Sequence, residues 1–180
     1  MIRRLLVLTA VTLAMIGPAA QAQRTSRGGS TPIELGIDGA ILFGLDNPHA
    51  TVLVLPLQDF RIGFIVSDKL EIEPRFNLTS VHSGGVSATD YAFQLGVLYQ
   101  PAGDRAGKGV YGRPFVGISG SSGTGFASDN SGLMGLGLGL KIPFSDRRLA
   151  TRLEAEYAHG FSNGGTNVIG VLFGLSFFTR

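Results

Sequence analysis

Hydrophobic and polar residues alternate along most of this chain with a period of two. The stretch from Asp59 to Leu78 reads DFRIGFIVSDKLEIEPRFNL and shows the pattern most clearly. Phe60, Ile62, Phe64 and Val66 share one parity, against Asp59, Arg61, Gly63 and Ser67. After a Ser67-Asp68-Lys69 turn, Leu70, Ile72, Phe76 and Leu78 share one parity and Glu71, Glu73, Arg75 and Asn77 the other. Successive side chains of a strand point to opposite faces, so the stretch predicts a hairpin with an apolar face and an ionic face. A soluble sheet would turn the ionic face to water. A small membrane barrel would turn it inward and give the apolar face to lipid.

The same rhythm predicts eight strands: Glu34–Leu45, one within Thr51–Val66, Lys69–Thr79, Thr89–Gln100, Arg113 to about Ser121, Met134–Phe144, Leu149–Phe161 and Asn167–Thr179. Turn-rich stretches separate them. These are Asp46-Asn47-Pro48-His49, His82-Ser83-Gly84-Gly85, PAGDRAGKGVYG from Pro101, the Gly/Ser/Asn segment Ser122–Ser131, Ser145–Arg148 and Ser162–Gly165. Val52–Leu57 is apolar on both parities and contains Pro56, which cannot donate to a ladder. That predicts a bulge, or a strand end above the bilayer. In the fifth strand Val116 and Ile118 oppose Phe115, Gly117 and Ser119, and the facing is left open. Pro74 falls on the apolar parity of the third strand as a local irregularity.

Residues 1–22 read as a cleavable signal peptide. Arg3 and Arg4 precede the apolar run Leu5–Ile16, Gly17-Pro18 breaks it, and Ala20-Gln21-Ala22 has the small-x-small cleavage pattern. Gln23 to Thr31 is a polar lead-in, and residues 32–180 form the barrel domain. The full chain has 15 Lys+Arg and 13 Asp+Glu; without Arg3 and Arg4 the balance is 13 to 13. Nothing in that charge calls for nucleic acid. With no cysteine and three scattered histidines, neither a disulfide framework nor a structural zinc site is expected, and no cofactor is implied. After the signal, no apolar run is long enough for a membrane helix.

Eight strands of spanning length joined by turns predict an all-β fold, an antiparallel up-and-down transmembrane β-barrel. Closure removes the sheet edges, which lipid cannot satisfy. The polar parity then sets Glu34, Asp38, Asp59, Arg61, Glu71, Glu73, Arg75, Asp90, Lys141, Arg152, Glu154 and Glu156 in the interior. An Arg or Lys aimed at mid-depth lipid costs up to about 2–4 kcal/mol. An eight-stranded barrel is just wide enough for side chains to fill. These residues therefore predict a salt-bridged plug, with an ion path as the sharper alternative. The excess of acids implies carboxylates that are protonated, near a rim or bridged by water. Phe64, Tyr99, Phe144 and Phe177 fall near one membrane edge and Phe43, Tyr91 and Tyr157 near the other, as aromatic belts.

An alternating strand, the segment IGFIVSDKLEIEP, then GRPFVGISG and a closing Gly-rich aromatic strand resemble the small outer-membrane β-barrel domains of the OmpA/OmpX-like superfamily. The resemblance covers essentially all of the chain beyond the signal. Gly170, Phe173 and Leu175 resemble the C-terminal assembly signal of such barrels, although Thr179-Arg180 follows Phe178 where the family often ends on an aromatic. The resemblance implies a bacterial outer-membrane location, outer-membrane lipids as surroundings and the barrel-assembly machinery as a partner during insertion. It identifies a barrel class that hosts many functions.

One enzyme class among small barrels bears on the same region. Barrels that deacylate lipid A carry His-x-Ser-Asn near the end of the seventh strand and a later carboxylate. Here the segment is His159-Gly160-Phe161-Ser162-Asn163-Gly164, with His and Ser three apart and no Asp or Glu after Glu156. On a regular strand that spacing puts them on opposite faces, so His159 cannot activate Ser162 without a bulge, and a deacylase-like barrel is the lesser alternative. No catalytic residue is assigned and the chain is not read as an enzyme. The expected function is a structural or surface-interacting outer-membrane barrel with a plugged interior. The alternatives are a narrow passive channel for ions or small apolar solutes and a soluble lipocalin-like carrier. No external ligand is indicated.

Overall fold

A computed structural model of the chain describes residues 32–46, 49, 51–83, 85–102, 109–145, 148–161 and 165–179. The signal-peptide and lead-in readings, and Ser162 and Asn163, lie outside the described residues. Eight strands are present: β1 (Ile33–Gly44), β2 (Thr51–Ile65), β3 (Leu70–Ser83), β4 (Val86–Tyr99), β5 (Gly109–Gly123), β6 (Phe126–Pro143), β7 (Leu149–Gly160) and β8 (Thr166–Phe178). Each pairs antiparallel with the next, and β8 pairs back with β1, closing the barrel. The closure is clasped at the base: Thr179 N–H donates to Ile33 O at 2.8 Å, and Ile33 N–H donates to Thr179 Oγ1 at 2.9 Å. The turns after β2 and β6 lie at this same base; the turns after β1, β3, β5 and β7 lie at the opposite end.

The sheet turns its apolar rows outward. Leu136, Leu138, Ile142, Leu153, Val116 and Ile118 are exposed, while the interleaved Glu34, Arg61, Glu73, Arg113 and Glu154 are almost fully buried. The fifth strand is now placed, with Val116 and Ile118 outward and Tyr111, Arg113 and Phe115 inward. Two expected loops are mostly strand. β3 and β4 extend through His82 and Ser83 to a tight turn at Gly85, and β5 and β6 extend through Ser122–Ser131 to a turn at Thr124-Gly125. Gly85 and Gly125 have φ of 83° and 85°, the left-handed conformation that tight hairpin turns require. Toward this end of the barrel both faces of these strands are largely polar, so the apolar-polar rhythm fades while the backbone ladder continues.

The irregularity around Pro56 is a bulge. Asp38 pairs with Asp59, yet Ala40 pairs with Val54. β1 advances two residues there while β2 advances five, so β2 carries three extra residues. Pro74 and Pro114 both face outward, and neither has an N–H to give. The β2–β3 register resumes at Phe64↔Ile72 after Arg61↔Arg75, skipping Pro74, and the β4–β5 register skips Pro114 in the same way.

Candidate functional site

The base half of the lumen is filled by an ionic stack to which every strand contributes. β1 supplies Glu34 and Asp38, β2 Asp59 and Arg61, and β3 Glu71, Glu73 and Arg75. β5 supplies Tyr111 and Arg113, β6 Lys141, and β7 Arg152, Glu154 and Glu156. Gln94 of β4 and Ser176 of β8 complete it through side-chain hydrogen bonds. The alternation of each strand aims these groups at the axis, and the closed ladder holds them in register.

Arg61 is the hub of one side. Its Nε donates to Asp38 Oδ2 at 2.8 Å, Nη1 donates to Glu34, and Nη2 donates to Ser176 Oγ at 2.7 Å. Lys141 Nζ then bridges Glu34 Oε2 at 2.5 Å and Glu71 Oε2 at 2.9 Å. Arg152 is the hub of the other side. It pairs with Glu73 through two nitrogens and with Glu154, its Nε donates to the Tyr111 hydroxyl, and its guanidinium lies 4.8 Å from the Tyr111 ring centre. Tyr111 OH in turn donates to Glu154 Oε2 at 2.7 Å. Arg113 donates to Glu154 Oε1 at 3.0 Å and to Glu156 Oε2 at 2.5 Å, and packs 4.6 Å from the Phe115 ring centre. Burial leaves these charges no water, so each guanidinium is matched to carboxylates through directed hydrogen bonds.

Glycines make room for this packing. A Cβ on Gly36 would lie 2.3 Å from Arg61 Cζ, and one on Gly139 would lie 2.1 Å from Tyr111 Cζ. A Cβ on Gly137 would meet Glu154 Oε1 at 2.3 Å. The glycine parity of β6 is thus the floor on which neighbouring strands lay their long side chains.

The stack loosens toward the far end. Arg75 Nη1 donates to Glu156 Oε2 at 3.0 Å, but its Nε stands 3.7 Å from Asp59 Oδ1 and its Nη2 3.6 Å from Asp38 Oδ2. Those separations exceed a hydrogen bond but stay within ion-pair range. Among the described residues seven buried carboxylates face five buried cations. Carboxylate oxygens of Glu34, Glu71 and Glu73 lie within 4.8 Å of one another, a spacing a metal ion could use, but Lys141, Arg61 and Arg152 already occupy that cluster.

Eleven of the twelve residues assigned to the interior from the sequence are buried there. Asp90 is the correction: it shares the inward parity but is exposed, paired with Thr79 and Ser121 beyond the stack. Parity gives the face of a strand and not the height along the barrel. The sequence reading leaves out Tyr111, which falls in the stretch Pro101–Gly112 taken as a connection, and Arg113, which opens a strand whose facing it leaves open. Extending the Phe115 parity backwards would have placed both inward.

A separate polar cluster sits at the far end on the outer face. Asp46 accepts hydrogen bonds from the Asn167 backbone and side chain, and Asn167 Oδ1 accepts from Tyr157 OH at 2.7 Å and from His159 Nδ1 at 2.9 Å. The Asn167 backbone N–H, first among these, holds the Asp46 carboxyl below its ordinary value.

No family model matches the chain, and no curated protein sequence matches it. Solved structures match by fold. Neisserial surface protein A (NspA) superposes with a TM-score of 0.56 at 11% identity, covering 84% of this chain and 99% of that one. The N-terminal β-barrel domain of Pseudomonas aeruginosa OprF superposes with a TM-score of 0.50 at 16% identity, covering 83% and 99%. With eight antiparallel strands in a closed up-and-down cylinder, the chain has the fold of these small outer-membrane β-barrels.

Proposed function

We propose that this chain is a bacterial outer-membrane barrel with a structural or surface-interacting role, whose lumen is closed to solutes by its ionic stack. The observation that carries the reading is the inversion of the barrel. Charged side chains from six strands meet inside, and rows rich in Leu, Ile, Val and Phe face out. In water that outer surface would be a large exposed apolar area; in lipid it is solvated. Residues 1–22 act as the export signal, and the base of the barrel, with both chain ends, faces the periplasm. The barrel-assembly machinery inserts the chain. NspA is named a surface protein, which accords with a surface role.

Reconstitution into planar bilayers tests the closed lumen. The expected record is a quiet baseline. Discrete openings would replace this reading with the narrow passive channel. Recovery of the folded chain in a detergent-free soluble fraction would overturn the membrane reading itself.

A further inference from the structure

The three histidines, His49, His82 and His159, are scattered in the sequence, yet all lie at the end of the barrel away from the Ile33–Thr179 clasp. Two of them meet at one corner, where β7 and β1 end and β8 begins. His159 of β7 pairs with Asn167 of β8, and Val168 pairs with Gly44 of β1. Leu45 N–H donates to Asn167 O at 2.8 Å, so the chain stays on β8 after β1 ends and brings Asp46 to the same corner. His49 folds back there, its Nδ1 on Gly44 O at 3.4 Å.

Hydrogen bonding fixes which nitrogen each ring offers. Asn167 Nδ2 donates to the Asp46 carboxylate, so Asn167 Oδ1 is the atom that faces His159. That oxygen can only accept. His159 therefore carries its proton on Nδ1, 2.9 Å away, and keeps a lone pair on Nε2. His49 Nδ1 likewise donates to a carbonyl, which leaves its Nε2 a lone pair as well. A ring held by Nδ1–H on an oxygen, with Nε2 left over, is the usual way of orienting a metal-binding imidazole. A Cβ on Gly165 would stand 3.3 Å from His159 Cε1, so glycine keeps the approach to Nε2 clear.

Asp46 is the carboxylate that both rings share. After the hydrogen bonds from the Asn167 backbone and side chain, His159 and then His49 are the charges that hold its carboxyl below the ordinary value. Asn167 makes three contacts to it, which leaves one of about four lone-pair sites for another partner. No lysine or arginine occurs from Gly39 to Phe60 or from Tyr157 to Thr179, so these segments set no fixed positive charge against a cation.

We propose that His49, His159 and Asp46 bind one divalent transition-metal ion of the Zn²⁺ or Cu²⁺ class at the far end of the barrel. Two imidazole nitrogens and one carboxylate oxygen suit such ions and leave a coordination position for water. The three ligand atoms do not all lie within 4.8 Å of one another. His49 is exposed and its hydrogen bond is long, so its ring turns inward to close the site. Asn167 is the positioning residue, because it holds His159 and Asp46 at once. The site stands on these residues whatever surrounds the barrel; on the membrane reading above it faces the outside of the cell.

The test uses the untagged chain folded in detergent micelles at neutral pH. Calorimetry follows Zn²⁺, and electron paramagnetic resonance follows Cu²⁺. One equivalent of Zn²⁺ should bind, and the Cu²⁺ signal should be split by two nitrogens. His49→Ala and His159→Ala should each remove one nitrogen from the splitting and weaken Zn²⁺ by more than about tenfold. Asn167→Ala should keep both nitrogens and weaken Zn²⁺ by about ten- to a hundredfold. His82→Ala, on the β3–β4 hairpin, should change neither readout. Circular dichroism checks that each variant folds, with His49→Gln and His159→Gln in reserve. Absence of binding at a large excess of either metal overturns the proposal, as does binding that His49→Ala leaves unchanged. Equal losses from His82→Ala and His49→Ala would show scattered surface imidazoles in place of a site, and would overturn it too.

Discussion

Gly36 and Arg61 are cross-strand partners on β1 and β2, and the arginine side chain lies flat over the glycine. A Cβ on Gly36 would stand 2.3 Å from Arg61 Cζ and 2.5 Å from its Cγ. The contact runs along the length of the side chain, so rotation of the guanidinium alone does not relieve it. Gly36→Ala should push Arg61 off Glu34 and Asp38 and leave those buried carboxylates without their partner. Breaking one partner of a buried ion pair costs about 3–5 kcal/mol. Urea unfolding in detergent micelles measures it, and a midpoint equal to that of the unmodified chain would show that Arg61 is dispensable.

Arg113 and Asp90 share the inward parity of adjacent strands but sit at different heights. Arg113 is fully buried between Glu154 and Glu156; Asp90 is exposed. Arg113→Leu should destabilise the barrel by about 3–5 kcal/mol, since it strips a cation from two buried carboxylates. Asp90→Asn should stay within about 0.5 kcal/mol of the original, as a surface change. Comparable losses from both would mean that the stack reaches the rim.

Gly125 closes the β5–β6 hairpin with φ of 85°. A side chain there meets the left-handed penalty of about 1–2 kcal/mol. Gly125→Ala should lower stability by that amount without touching the lumen. Gly125→Asn, whose short polar side chain tolerates this region, should recover much of it. Equal losses from Ala and Asn would argue against a backbone origin.

Asp46 lies beyond β1 and accepts hydrogen bonds from Asn167, which lower its pKa from the ordinary 3.8. A lowered folded value means that the ionised form is favoured by folding. The anchoring is therefore fully present above about pH 4 and is lost as pH falls through the lower folded value. Titration of the Asn167 amide proton by NMR should show a midpoint below 3.8. Asn167→Ala should return the Asp46 midpoint upward. A midpoint at or above the ordinary value in the unmodified chain would remove the interaction.

The eight strands, their order and the inward facing of Glu71, Glu73, Arg152 and Glu154 were readable from alternation alone. An apolar outer surface and a packed polar lumen impose opposite polarity on neighbouring residues, and that contrast is written at period two. Where the contrast ends the reading failed. His82, Ser83 and Ser122–Ser131 looked like loops because both of their faces are polar, although hydrogen bonding continues through them. The bulge at Pro56 could be suspected from a proline in an apolar run, but its three-residue size depends on which partners β1 offers.

What the sequence by itself determined is the face that each residue presents, because parity is a local property of an extended chain. Only the tertiary structure decided how high each residue sits and whom it meets. Strand tilt and register bring Lys141 of β6 to Glu34 of β1, 107 positions away, and leave Asp90 outside the stack. Those relations follow from closure of the cylinder, a constraint on all eight strands together that no single strand encodes.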